Sequence, residues 1–136
     1  MAIKSGPALC ALIVLACGEA RAVEMDGRLT GAWATSEADC KKLFVRDGGG
    51  FVFRQPVDQF AQAAIITPGS VVLPSRTCQV VGASQSNGLT KLDFQCRDSI
   101  SYTSESVEIE VKSSTSMIYR PNGDKTLDSA WIKCGP

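Results

Sequence analysis

Asn87-Gly88 lies midway between Cys78 and Cys96, and no other feature of the sequence limits the fold as tightly. Asn-Gly is the strongest short hairpin signal, because both residues accept the positive φ of a two-residue turn. The flanks, residues 77–81 and 89–97, read as strands. Leu92, Phe94 and Cys96 share one strand face, as do Cys78 and Val80, while Lys91, Asp93 and Gln95 point the other way. Folding the chain at Asn87 sets Cys78 opposite Cys96. Cross-strand neighbours have the short Cα separation a disulfide needs. Cys40, Cys78, Cys96 and Cys134 allow three pairings on counting alone. The hairpin argument selects Cys78 with Cys96 and leaves Cys40 for Cys134 by elimination. So long a closed loop stabilises by about 4–5 kcal/mol in the chain-entropy model.

Pairing requires an oxidising compartment, and the N-terminus supplies the reason to expect one. Residues 1–22 read as a secretory signal, with Lys4 as the positive start, residues 9–16 as the apolar stretch and Ala20-Arg21-Ala22 as the cleavage site. Cys10 and Cys17 then leave with the signal, and Val23 opens a mature domain of residues 23–136. The apolar stretch is shorter than the roughly 20 residues that span a bilayer, and no later stretch is apolar enough. A competing reading stays open. Ile13-Val14-Leu15-Ala16-Cys17 has the form of a lipobox, which would make Cys17 a lipid-anchored first residue. Both readings direct the chain to a bacterial periplasm or envelope, or to secretion.

The mature chain carries twelve Lys and Arg against thirteen Asp and Glu. Without a basic excess, a nucleic-acid partner has no electrostatic support. The chain contains no histidine, which removes Ser-His-Asp and Cys-His catalysis and any His-ligated metal. Cys-x-x-Cys is absent, as is Ser-x-x-Lys from the mature chain. The cysteine spacings of 38, 18 and 38 lack the short pairs of a zinc site. Glu108 and Glu110 fall on one outward strand face beside Lys112, which reads as a solvated face rather than a carboxylate pair across a cleft. Asp124 and Asp128 flank a turn and lack the spacing of a calcium loop. Gly48-Gly49-Gly50 is not followed by the Gly-Lys-Ser/Thr of a phosphate loop. No catalytic residue, metal site or cofactor is expected.

Along the chain, residues 30–34 read as a first strand. Ser36-Glu37-Ala38-Asp39 has capping-box form ahead of a short helix whose docking face holds Cys40, Leu43 and Phe44. Residues 47–50 form a loop, and residues 51–53 a short strand that Pro56 ends. Residues 57–67 fit one helical turn near Asp58 and then a strand from about Gln62. Residues 70–73 form a strand stopped by Pro74, and the 76–97 hairpin follows. Residues 105–112 alternate most clearly, with Val107, Ile109 and Val111 inward. Residues 115–120 and 130–134 are the last strands, separated by a Pro121-Asn122-Gly123-Asp124 turn. Short strands with turn chemistry between them indicate a single, mainly β domain. The expected fold is a small antiparallel barrel or sandwich with one short N-terminal helix, stapled by disulfides.

Gly31-Ala32-Trp33, just ahead of the first structured segment, resembles the Gly-x-Trp opening of lipocalins. A similar opening occurs in small bacterial envelope barrels, including metalloprotease inhibitors of the alkaline-protease-inhibitor type. The whole layout is also similar to uncharacterised periplasmic proteins of alphaproteobacteria. It comprises Gly-x-Trp, a cysteine soon after, a cysteine-flanked hairpin and a terminal cysteine. The resemblance implies a structural role for Gly31 and Trp33, with the Trp plugging one end of the core.

Among the remaining aromatics, Phe94 and Tyr119 read as core, and Trp131 as packed, with the Cys40 helix as its expected partner. Phe51, Phe53 and Phe60 cluster around Arg54 beside a glycine loop and form the candidate contact patch. Three functions compete. The first is a non-catalytic envelope binding protein, an inhibitor or interaction module, that grips another envelope or secreted protein through loops at one barrel end. The second is a lipocalin-like carrier, which needs an apolar interior cavity. The third is an enzyme limited to Ser, Lys, Asp or Glu, which needs a cleft with a strongly shifted group.

Overall fold

The Asn87-Gly88 turn forms as the sequence dictates, with φ of 52° and 76°. It joins β6 (Arg76–Ser86) to β7 (Leu89–Arg97), as a computed structural model describing residues 25–135 shows. The signal and lipobox readings, with Lys4, Cys10 and Cys17, lie outside the described residues. Cys78 stands opposite Cys96 in the ladder and is bonded to it, with the Cα atoms 3.9 Å apart. Cys40 is bonded to Cys134 across 94 residues. Bonds of this kind form and persist in oxidising compartments.

Strands β1 (Gly31–Ala34), β4 (Ala63–Ile66) and β5 (Ser70–Leu73) precede the hairpin, and β8 (Tyr102–Ser113), β9 (Ser116–Pro121) and β10 (Ser129–Lys133) follow it. These eight strands close into an antiparallel barrel in the order β1-β10-β9-β8-β7-β6-β5-β4. β1 completes the closure by pairing with β4 on one side and β10 on the other. No helix of the described residues is long and apolar enough to cross a membrane.

Alternation along β1 and β4 divides the apolar residues between two cores. Trp33, Ala64 and Ile66 point into the barrel, where Leu29, Leu92, Ile109, Met117 and the Cys78–Cys96 disulfide fill the interior. Ala32, Ala34 and Ala63 point outward and form a second, smaller core with Leu43, Phe44 and Cys134. The cover over that outer core is α1 (Glu37–Leu43) with the β2 (Phe44–Asp47) and β3 (Gly50–Phe53) hairpin. Ser36 caps α1 as its capping-box position implies. Its Oγ accepts the Asp39 N–H at 3.1 Å and donates to the Asp39 carboxylate at 2.7 Å.

Three local expectations change. Phe44 is not the last turn of the helix but the start of β2, and Asp47 and Gly50 are paired strand ends around a Gly48-Gly49 turn. Near Asp58 a single turn forms, closed by the Ala61 N–H donating to the Asp58 carbonyl at 3.2 Å, and the following strand starts at Ala63. Trp131 packs away from the Cys40 helix: it stacks on Tyr119 in the inner core, with ring centroids 4.4 Å apart. Position 131 on β10 faces inward, whereas the helix lies outside the barrel.

Strand direction gives the barrel two unlike ends. The connections 67–69, 87–88 and 114–115 fall at one end, together with a 3₁₀ turn (Gly27–Leu29) whose buried Leu29 closes it. The connections 35–62, 74–75, 98–101 and 122–128 all fall at the other.

Candidate functional site

The end without a plug carries the candidate site. Its rim is assembled from three turns, each held by an aspartate. The Asp58 carboxylate accepts the Phe60 N–H at 3.1 Å. The Asp98 carboxylate accepts the Ile100 and Ser101 N–H groups, both at 2.8 Å, and the Ser101 hydroxyl at 2.9 Å. Those bonds, led by the Ile100 N–H, hold the Asp98 carboxyl below the usual carboxylate range. The Asp124 carboxylate accepts the Thr126 N–H at 2.9 Å and caps the 3₁₀ turn Lys125–Leu127. Arg120 anchors that third connection from the barrel wall, donating to Asp128 at 2.6 and 2.9 Å and to Glu108 at 3.4 Å.

Each turn presents an apolar side chain to solvent. Phe60 is 96% exposed, Ile100 93% and Leu127 53%, and Tyr102 at the start of β8 is 71% exposed. The connections at the opposite end are Thr-Pro-Gly, Asn-Gly and Ser-Thr. Among the described residues, four of the six exposed large apolar side chains thus stand at one end of the barrel, the other two being Val52 on β3 and Val81 on β6.

Inside the rim a bowl of about 620 Å³ opens, lined by Leu73, Arg76, Phe94, Glu105, Tyr119 and Trp131 among others. The Trp131 indole N–H donates to the Ser129 hydroxyl at 2.9 Å, and that hydroxyl donates to Gln62 at 3.1 Å, tying the 54–62 connection to β10. Arg76 pairs with Glu105 across the mouth at 2.7 Å. Among the described residues, the buried Arg76 Nε has no hydrogen-bond partner. Burial pushes the Tyr119 phenol above its ordinary pKa. The bowl thus offers walls of mixed polar and apolar residues and a self-neutralising ion pair. Among the described residues, no three His, Cys, Asp or Glu side chains come together as a metal cluster. A second concavity of about 330 Å³ lies outside the barrel between α1 and the β2–β3 hairpin, against the Cys40–Cys134 disulfide.

The four residues of the sequence-derived patch do not form one surface. Phe51 and Phe53 are half-buried against Phe44, at centroid distances of 6.0 and 5.0 Å, with the Arg46 guanidinium 4.5 Å over Phe51. Arg54 is a helix-end residue, donating to the carbonyls of Lys41, Lys42 and Phe44 at 3.2–3.4 Å. Only Phe60 stands on the rim. Ile100, Tyr102 and Leu127 lie outside that patch, although Asp58-Gln59-Phe60, Asp98-Ser99-Ile100 and Asp124-Lys125-Thr126-Leu127 share a readable pattern, an aspartate two or three residues before an apolar side chain. Glu108 and Glu110 face outward as expected, but Glu108 also pairs with the buried Arg120. Gly31 and Trp33 open β1 at the plugged end, where the Trp33 ring is fully buried.

Comparison with family models, with curated proteins and with solved structures finds no match for this chain.

Proposed function

We propose that this chain is a non-catalytic binding protein of the bacterial envelope that recognises another polypeptide through the open end of its barrel. The observation that carries the reading is the apolar rim of Phe60, Ile100, Tyr102 and Leu127. Single exposed apolar residues are ordinary on protein surfaces. Four at one barrel end, three of them on turns ordered by aspartate caps and Tyr102 at the start of β8, support a contact surface instead. Recognition loops on a rigid scaffold have this arrangement. An inhibitor or an interaction module would use such a rim in the same way.

The carrier alternative asks for an enclosed apolar chamber. Here Trp33, Leu92, Ile109, Met117 and the inner disulfide occupy the barrel interior, and the cavity at the mouth is open. A polypeptide that lies on the rim and fills the bowl fits that shape better than an enclosed small molecule. Export through the signal read in residues 1–22 supplies the oxidising compartment, and anchoring through Cys17 would tether the same barrel to a membrane.

The test substitutes Phe60→Ser, Ile100→Ser, Tyr102→Ser and Leu127→Ser together in the exported protein. Partners are cross-linked in the envelope, and the thermal midpoint is measured alongside. We expect the cross-linked partner to be lost at an unchanged midpoint, because the four side chains contribute little to the core. Equal cross-linking by the variant and the parent would refute the reading.

A further inference from the structure

The geometry points to strand addition as the docking mode: an extended segment of the partner pairs with the free edge of β8 at residues 102–105. The inference rests on the open-end reading above and names the chemistry of what binds there.

Main-chain groups alternate along a strand, with one residue's N–H and C=O facing one neighbour and the next residue's facing the other. The Asn122 N–H donates to the Ser106 carbonyl at 2.9 Å, so Ser106 faces the β9 side. Ser104 and Tyr102 therefore face that side too. The β7–β8 register runs unbroken from Leu89↔Glu110 to Arg97↔Tyr102, so no bulge interrupts the alternation. The inner disulfide agrees. Cys78 and Cys96 have the close Cα approach of a non-hydrogen-bonded pair, so Cys96 turns its main-chain groups to Thr103 on β8.

The β9 ladder stops short of this stretch. Its last pair is Val107↔Pro121, after which the chain turns away through Asn122-Gly123. By this alternation the N–H and C=O groups of Tyr102 and Ser104 point away from β7, and among the described residues no strand pairs with β8 there on the other side. They border the bowl, which touches Thr103, Ser104, Glu105, Pro121 and Asn122. A row of donors and acceptors at strand spacing is matched by another extended main chain, the basis of β-augmentation.

The bowl adds a preference for side chains. Alternate residues of an added strand would point inward, toward Arg76, Phe94 and Tyr119. Arg76 and Glu105 neutralise each other, so a charged side chain would meet no free counter-ion. The occupant is thus a short extended segment of another protein, with an uncharged side chain turned inward. The edge of β6 beyond Val80 is also unpaired and carries the exposed Val81, but it begins with a bulge at Val80/Gly82. Bulges of that kind guard an edge against pairing.

The probe is a phage-displayed library of random linear dodecapeptides, selected on the immobilised exported protein. The variant is Ser104→Pro, which removes one outward N–H without taking a bond from the β7 ladder. We expect peptides to be enriched, to slow amide exchange at Tyr102 and Ser104, and to bind Ser104→Pro at least about tenfold more weakly. If Ser104→Pro does not fold, the exchange measurement on the parent protein decides. Absence of enrichment, protection at residues 81–86 instead, or undiminished binding by Ser104→Pro would overturn the inference. A concentration-dependent dimer that Ser104→Pro abolishes would also overturn it, by making a second copy the occupant. A cross-linked partner lost by the four-serine rim variant but kept by Ser104→Pro would overturn strand addition alone and leave the rim reading standing.

Discussion

The indole N–H of Trp33 donates to the carbonyl oxygen of Leu29 at 2.7 Å, so the first strand is bonded to the turn that plugs its own end of the barrel. The Lys133 ammonium lies 5.2 Å from the centre of the same ring and donates to the Arg28 carbonyl, closing the plug from β10. Trp33→Phe would remove the donor, leave the Leu29 carbonyl buried without it, and open space in a filled interior. The lost bond and the cavity together should cost about 2–4 kcal/mol. Urea unfolding of the variant measures this, and a loss below about 1 kcal/mol would mean that the plug is held some other way.

Two residues upstream, Gly31 has φ of 141°, a conformation that side-chain-bearing residues rarely adopt. A Cβ there would meet the Lys133 side chain at 3.5 Å, an ordinary contact, so space is not the obstacle. Gly31→Ala should therefore destabilise through the backbone alone, by about 1–3 kcal/mol. The check is the same unfolding measurement on Gly31→Ala and on the double variant Gly31→Ala, Lys133→Ala. Relief of the loss by trimming Lys133 would place the cost in side-chain crowding instead.

The two disulfides should respond differently to a reductant. Cys78 and Cys96 are buried inside the barrel, whereas Cys40 is half-exposed beside the outer groove. Under native conditions the Cys40–Cys134 bond should be reduced first, and Cys78–Cys96 only with global unfolding. Chain entropy assigns the longer loop about 4.5 kcal/mol and the shorter about 3 kcal/mol. Alkylation of freed thiols followed by peptide mapping gives the order of reduction. Simultaneous loss of both bonds would mean that α1 does not open independently of the barrel.

What the sequence revealed was local. The Asn87-Gly88 turn, the Ser36 cap and the alternation of β8 each depend on residues within one element, and each formed where the residues indicated. Phe44 was ambiguous because residues 40, 43 and 44 share a helical face, while 44, 51 and 53 share a cross-strand cluster that only the β2–β3 pairing creates. Trp131 found Tyr119 rather than the Cys40 helix because strand parity decides which wall a residue faces. The rim was the least legible part. Ile100 and Leu127 are single apolar residues in polar turns and carry no periodicity, and their meeting at one end follows only from the direction of eight strands. The free edge of β8 is hidden for the same reason, since it depends on where β9 stops.

Acid should weaken the rim before the barrel. Hydrogen bonds from the Ile100 and Ser101 main chain hold the Asp98 carboxyl below its ordinary value, those from Thr126 do the same for Asp124, and Arg120 does so for Asp128. A carboxyl whose pKa is depressed on folding stabilises the fold above its unfolded value, about 3.9, and this stability is lost as pH falls through the lower folded value. The window therefore lies below about pH 4. Asp98→Asn isolates the effect, because the amide oxygen still accepts main-chain N–H groups but does not titrate in this range. Amide exchange at Ile100 and Ser101, corrected for the intrinsic effect of pH, should lose protection below about pH 4 in the parent and change less in Asp98→Asn. Because the same turn holds Ile100 on the rim, partner cross-linking should fall over the same range. Protection with identical pH dependence in both proteins would show that the Asp98 carboxylate does not hold the turn.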